Sequence, residues 1–173
     1  MRGKYLCGLT AVALFGAAGC AGDLNPVASP SEQFEAALSG ANEVPPVTTT
    51  AAGTATFWIL EDSFLVYRLE VAAVDSPTAA HIHEGAAGVN GAVIVTLYTR
   101  PTAASSRPGL TTGPLRVGQF KPSQLTQVPS GYGATPQERF DSLLRMMRAG
   151  TVYVNAHTVR FGGGEIRGQV QLR

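Results

Sequence analysis

The stretch FLVYRLEVAAV at residues 64–74 decides the fold class of this chain. Every second residue from position 65 to position 71 is apolar, whereas Arg68 and Glu70 lie between them. Successive side chains of a β-strand point to opposite faces, so this alternation is typical of an antiparallel strand with one face in a core. Residues 64–74 are therefore predicted to form a half-buried β-strand.

Six further runs have the composition of short strands, because they are rich in β-branched and apolar residues and are bounded by glycine, proline, Asp-Ser or Asn-Gly turn signals. They cover residues 33–40, 53–61, 79–85, 92–99, 150–158 and 165–172. A chain of 173 residues, 45% of them hydrophobic, suits one well-filled domain. The sequence therefore predicts an all-β fold: an antiparallel β-sandwich or Greek-key barrel with about seven strands.

One segment, TPQERFDSLLRMMRAG at residues 135–150, departs from the strand pattern. Thr135 is followed by Pro136 and, three positions after the threonine, by Glu138, which is the arrangement of an N-terminal capping box. Apolar residues then recur at helical spacing before Gly150, namely Phe140, Leu143, Leu144 and Met147. This segment is predicted to be a single short amphipathic helix.

Residues 100–135 are rich in proline, glycine, serine and threonine. The segment is longer than a hairpin turn requires. It is predicted to be a long connection between strands or sheets.

The overall charge excludes one class of partner. The formal net charge is +1, only 14% of the residues are charged, and lysines and arginines are scattered along the chain. Nucleic-acid binding needs a basic stripe or patch, so no nucleic-acid partner is expected. The motifs G-x-S-x-G and H-E-x-x-H are also missing from the sequence, which leaves a hydrolase without a recognisable centre.

The N-terminal stretch MRGKYLCGLTAVALFGAAGC, residues 1–20, has the form of an export signal. Arg2 and Lys4 precede an apolar run, which ends in the small residues before Cys20. The ending AAGC resembles the lipobox of bacterial lipoproteins, which implies that Cys20 is diacylated and becomes the first mature residue. The alternative is an ordinary secretory signal cut after small residues.

The lipobox interpretation divides the chain into three parts. Residues 1–19 are predicted to be a lipoprotein signal peptide, residues 20–32 a flexible tether, and residues 33–173 the folded domain. Lipid on Cys20 would hold the protein to a membrane of the bacterial cell envelope, on the periplasmic or the cell-surface side. The other cysteine, Cys7, lies in the signal peptide, so the mature domain is expected to lack a disulfide.

Two histidines stand one residue apart in AHIHEGAAGVNGAVIV, residues 80–95. Residues two apart on a strand share a face, so His81 and His83 can converge on one ion if His157 comes from an adjacent strand. Neutral imidazoles suit copper(II) and zinc. The alternative is that the three imidazoles are separate and only form hydrogen bonds with turns. Because Ile82 shares its face with Ala80 and is expected to point into the core, the histidines are expected outside the core or in a groove.

Three blocks of the chain resemble, in order, the signature blocks of the CHRD domain, which is named from chordin and also occurs in bacterial exported proteins. They are ALSGANEVPPVTTTAAGTATFWI at residues 37–59, AAHIHEGAAGVNGAVIVTLY at residues 79–98, and LLRMMRAGTVYVNAHTVRFGGGEIRGQV at residues 143–170. The resemblance implies an all-β extracytoplasmic domain. Displayed on a membrane, such a domain is expected to act as a binding or structural module that recognises another envelope protein or a matrix component. The growth-factor binding of chordin belongs to separate cysteine-rich repeats, which this chain lacks.

A weaker resemblance is to copper-zinc superoxide dismutases, which share the order of an H-x-H strand, a later histidine strand and a terminal strand. By this comparison His81, His83 and His157 match copper ligands. The further histidines and the aspartate of the zinc site have no counterpart after His83. The resemblance therefore favours a three-histidine copper or zinc site over dismutase activity, which is the least favoured function.

Overall fold

The computed structural model describes residues 30–60, 64–101, 109–125, 128 and 130–173. In these residues nine antiparallel strands form one sheet that curls into a nearly closed barrel. The predicted signal peptide, Cys20 and most of the predicted tether lie outside the described residues.

The strands follow one another around the barrel in the order β5-β4-β7-β8-β1-β2-β3-β6, and β9 also pairs with β1. Their bounds are β1 Glu32–Ser39, β2 Ala52–Leu60, β3 Phe64–Asp75, β4 Pro77–Glu84, β5 Val93–Thr99, β6 Leu110–Phe120, β7 Val152–Thr158, β8 Ile166–Gln169 and β9 Gln171–Leu172, and the helix α1 spans Pro136–Arg148. Single 3-10 turns occur at Gly40–Asn42, Pro122–Gln124 and Ser130–Tyr132.

The hairpin of β2 and β3 confirms the prediction for residues 64–74. The two strands pair without interruption from Ala52 opposite Ala72 to Leu60 opposite Phe64. The alternate apolar residues of β3 are buried and belong to a single core that also takes in the inward side chains of the other strands. Burial of one face of β2 and β3 holds their register, because a slip by one residue would turn that face to solvent.

The barrel is incomplete between its two edge strands, β5 and β6. Across this opening the Tyr67 hydroxyl donates a hydrogen bond of 2.6 Å to the Leu97 carbonyl. The Tyr67 ring is stacked on Phe120, with ring centroids 5.0 Å apart. The all-β prediction is therefore confirmed, with the sheet in the form of a barrel.

Helix α1 begins and ends where the sequence predicts. The Thr135 hydroxyl accepts a hydrogen bond of 3.2 Å from the Glu138 backbone, and the Glu138 carboxylate accepts one of 2.9 Å from the Thr135 backbone. Gly150 adopts a left-handed conformation, with φ of +64°, just after the helix. The apolar stripe is buried and joins the barrel core through Phe140, Leu143, Leu144 and Met147.

The predicted long connection at residues 100–135 is wrong in part, because it contains the strand β6. The sequence of β6 includes Pro114 between two glycines, which reads as a loop. Proline is tolerated at the edge of a sheet and at a bulge. Both conditions hold here, since β6 pairs only with β3 among the described strands and its register shifts between Arg116 and Pro114.

The final predicted strand is two short strands, β8 and β9, separated by Val170. Together with β6, this division raises the number of strands from about seven to nine. Among the described residues, no helix has the length and apolar character needed to cross a membrane.

Candidate metal centre

The three histidines lie on the outer face of β4 and β7, two adjacent strands of the barrel. In their register Ala79 is opposite His157, and His81 is opposite Asn155. The alternate residues Ala80 and Ile82 are fully buried in the barrel core. The expected orientation is therefore confirmed: the core side of β4 is apolar, and its histidines face outward.

The structure brings the three imidazoles together. Each offers one nitrogen, and these nitrogens all lie within 4.8 Å of one another. Nδ1 of His81 lies 3.0 Å from Nε2 of His157 and donates a hydrogen bond to it, and an ion would take the place of that proton. Nitrogens bound to one ion at about 2.0 Å are about 3.3 Å apart at a tetrahedral angle, a value that lies between the 3.0 Å contact and the 4.8 Å limit of this cluster.

Backbone carbonyls set the orientation of two of the rings. Nδ1 of His83 is 2.9 Å from the Gly91 carbonyl, and Nδ1 of His157 is 3.0 Å from the Gly162 carbonyl. A carbonyl only accepts hydrogen bonds, so each Nδ1 carries the proton and donates. The lone pair of each ring is then on Nε2, which is the arrangement found in metal-binding histidines with an outer hydrogen-bond partner.

The site also favours the neutral form of each imidazole. Burial, followed by the proximity of His157 and His83, lowers the pKa of His81 to about 4. Burial lowers the pKa of His83, although the hydrogen bond to the Gly91 carbonyl acts to raise it. Burial likewise lowers the pKa of His157. Because the neutral ring is the one that binds a metal, proton competition at pH 7 is weak.

The loop between β4 and β5 carries Gly91 and is held across the sheet by Arg167. The guanidinium donates hydrogen bonds of 2.7 Å to the Val89 carbonyl and 2.9 Å to the Asn90 side-chain oxygen. Arg167 is only 2% exposed, and its guanidinium lies 3.3 Å from the centre of the Tyr153 ring. That ring is stacked in turn on His83, with centroids 4.9 Å apart. Arg167 therefore supports His83 through both the loop and the aromatic ring.

Gly91 lies where a side chain does not fit. A Cβ atom at this position would be 1.6 Å from the Glu84 carbonyl oxygen. The Gly91 amide also donates to the Tyr153 hydroxyl at 3.2 Å. The glycine therefore lets the loop approach β4 closely enough for its carbonyl to reach His83.

Polar side chains without partners lie buried in this part of the molecule. Among the described residues, no hydrogen-bond partner is present for Nε2 of His83, Oδ1 of Asn155 or Oε1 of Glu43. Burial raises the pKa of Glu43 to about 7. Buried polar atoms normally have partners, so the two atoms on the face of the histidine cluster, Nε2 of His83 and Oδ1 of Asn155, indicate a site that takes a further group.

Sequence reasoning did not connect Asn155, Tyr153 or Arg167 with the histidines. The period-two rule could have indicated the first two, since both share the face of His157 on β7. Arg167 comes from the next strand, where it is opposite Asn155. Its role depends on strand order, for which the sequence contains no local signal.

In the comparison with protein families, residues 34–170 match the CHRD domain. This range includes all three histidines and extends from β1 to just beyond β8. Comparisons with curated proteins and with solved structures return no match. Since the family match covers well over half of the chain, the protein belongs to the CHRD domain family.

Proposed function

We propose that this CHRD domain is a binding module for one copper or zinc ion, held by His81, His83 and His157. The observation that supports the proposal is the convergence of three imidazole nitrogens within 4.8 Å of one another. Family membership supports the broader class, a binding or structural module. The histidine cluster supplies the narrower proposal, because three neutral imidazoles on two paired strands form a ready nitrogen donor set.

Copper(II) is the first choice of ion. Nitrogen sites bind copper(II) more tightly than zinc in the usual order of divalent metals, and imidazole suits both. The donor set contains no thiolate, since the three ligands are all histidines. Zinc is the second choice, because it accepts the same nitrogens with little preference for geometry.

Dismutase chemistry is not part of the proposal. A copper-zinc centre of that type needs a second cluster of histidines and an aspartate for zinc. Within the described residues, the three histidines are the only group of three or more histidine, cysteine or acidic side chains placed to hold a metal. The proposed role is therefore to bind a metal ion.

The test is a titration of the purified protein with copper(II) and with zinc, in competition with a chelator of known affinity. His81→Ala, His83→Ala and His157→Ala should each weaken binding by at least about tenfold, because each removes one of three ligands of a shared ion. Glu84→Gln is the control, since Glu84 is an exposed carboxylate beside His83. Binding weaker than about 10 µM, or small and additive losses, would contradict a shared site.

We also propose that lipid on Cys20 anchors the protein in the bacterial cell envelope. The support is the sequence of residues 1–20, whose basic start, apolar run and AAGC ending resemble a lipoprotein signal. Cys20→Ser should move the protein from the membrane fraction to the soluble fraction. Retention of that variant in the membrane would contradict the anchor. Recognition of another envelope protein or a matrix component stays a prediction.

A further inference from the structure

Asn155 lies at the base of the three-histidine cluster. On β7 it precedes His157 by two residues and so shares its outer face, and in the sheet it is directly opposite His81. It is only 3% exposed. An amide side chain in this position lies on the same face as the histidines and is shielded from water.

The side-chain oxygen of Asn155 is an acceptor without a donor. Among the described residues, neither Oδ1 of Asn155 nor Nε2 of His83 has a hydrogen-bond partner. The proton of His83 is on Nδ1, which donates to Gly91, so Nε2 presents a lone pair. Burying two acceptors in this way costs free energy unless a donor or a cation satisfies them.

The two unpartnered acceptors belong to one site. Asn155 lies directly opposite His81 in the β4–β7 pair and shares the face of His157, and the nitrogens of these two histidines converge with those of His83. A metal ion at the point of convergence would be shared by the imidazole nitrogens and by the amide oxygen. One cation would thus satisfy both buried acceptors.

We propose that the side-chain oxygen of Asn155 is the fourth protein ligand of the metal held by His81, His83 and His157. This inference rests on the proposed metal-binding function and deepens it, because it converts a three-nitrogen site into a site with three nitrogens and one oxygen. Copper(II) accepts a weak oxygen ligand of the amide type beside stronger nitrogen ligands, and zinc accepts an oxygen in a tetrahedral set.

The opposite orientation of the amide makes the opposite prediction. If the nitrogen of Asn155 pointed toward His83, it would donate a hydrogen bond to Nε2 and occupy the lone pair that the metal needs. Asn155 would then hinder metal binding, and its removal would strengthen the binding. The two arrangements are therefore distinguished by the direction of one change in affinity.

The experiment compares the wild type with Asn155→Ala and Asn155→Asp in titrations with copper(II) and zinc. Asn155→Ala should weaken binding by about tenfold, and Asn155→Asp should strengthen it, since a charged carboxylate oxygen replaces the neutral carbonyl. The copper(II) paramagnetic resonance spectrum should change in both variants. Gln119→Ala, an exposed amide on β6, is the control and should leave affinity and spectrum unchanged.

The outcomes distinguish failure of the Asn155 proposal from failure of the metal-binding proposal on which it rests. If the wild type binds the metal and Asn155→Ala binds it as tightly or more tightly, Asn155 is not a ligand. The proposal of a three-histidine site would then stand unchanged. Absence of wild-type binding would overturn both proposals. If Asn155→Ala fails to fold, the nearly isosteric Asn155→Asp provides the test. Unchanged metal affinity and an unchanged copper(II) spectrum in that variant would exclude the side-chain oxygen as a ligand.

Discussion

Arg167→Lys tests how the fold supports the metal site. The wild-type guanidinium donates to the Val89 carbonyl and the Asn90 side chain and lies over the Tyr153 ring. Lysine keeps the positive charge but loses the planar, forked set of donors. The variant therefore separates the charge of Arg167 from its geometry.

The expected loss can be estimated from these contacts. A lysine ammonium keeps only part of this forked set of bonds to the loop, and a lost hydrogen bond from a charged group costs about 1–3 kcal/mol. Loss of the guanidinium from the Tyr153 ring costs about 1–2 kcal/mol. We expect the free energy of unfolding to fall by about 2–5 kcal/mol in total. Metal affinity should fall by about 10- to 100-fold, which is typical when an outer partner of a ligand is lost.

Urea unfolding of the metal-free protein measures the first quantity, and chelator competition with copper(II) measures the second. Arg68→Lys is the matched control, because Arg68 forms a pair with Glu70 in which the two side chains are 47% and 46% exposed. That exchange should change the free energy of unfolding by less than about 0.5 kcal/mol. A loss below about 1 kcal/mol in Arg167→Lys, together with wild-type metal affinity, would refute the reasoning.

Three further variants test other parts of the molecule. Burial raises the pKa of Glu43 to about 7, so the charged carboxylate opposes folding increasingly as pH rises from 4.5 to above 7. In urea unfolding, Glu43→Gln should therefore be more stable than wild type by about 2–3 kcal/mol at pH 8 and by little at pH 4.5. An equal difference at both pH values would contradict the raised pKa of Glu43. Gly91→Ala should weaken metal binding, since a Cβ there would be 1.6 Å from the Glu84 carbonyl oxygen. Gly163→Ala is the control: a Cβ there has nothing within 4 Å, so the metal affinity should not change. Thr135→Ala removes the N-cap of the helix and should lower the free energy of unfolding by about 1 kcal/mol, whereas Thr135→Ser should retain most of it.

The secondary structure was largely predictable because its signals are local. The alternation at residues 64–74 depends on one chain segment and on a single buried face, and the structure confirms it. The helix was likewise indicated by neighbouring residues, from Thr135 to Gly150. The missed strand β6 shows the limit of local signals. Pro114 disfavours a central strand, but β6 lies at an edge with a register shift beside the proline, and strand order alone creates that environment.

The sequence by itself determined that His81 and His83 share a face, because two-residue periodicity is a property of any strand. Only the tertiary structure decided that His157 joins them, since it lies on a strand that pairs with β4 after a long intervening segment. The same applies to Asn155 and Arg167, which reach the histidines through the pairing of β7 with β4 and β8. Contacts between distant segments depend on which strands become neighbours, and that choice is made by burial of the whole core at once.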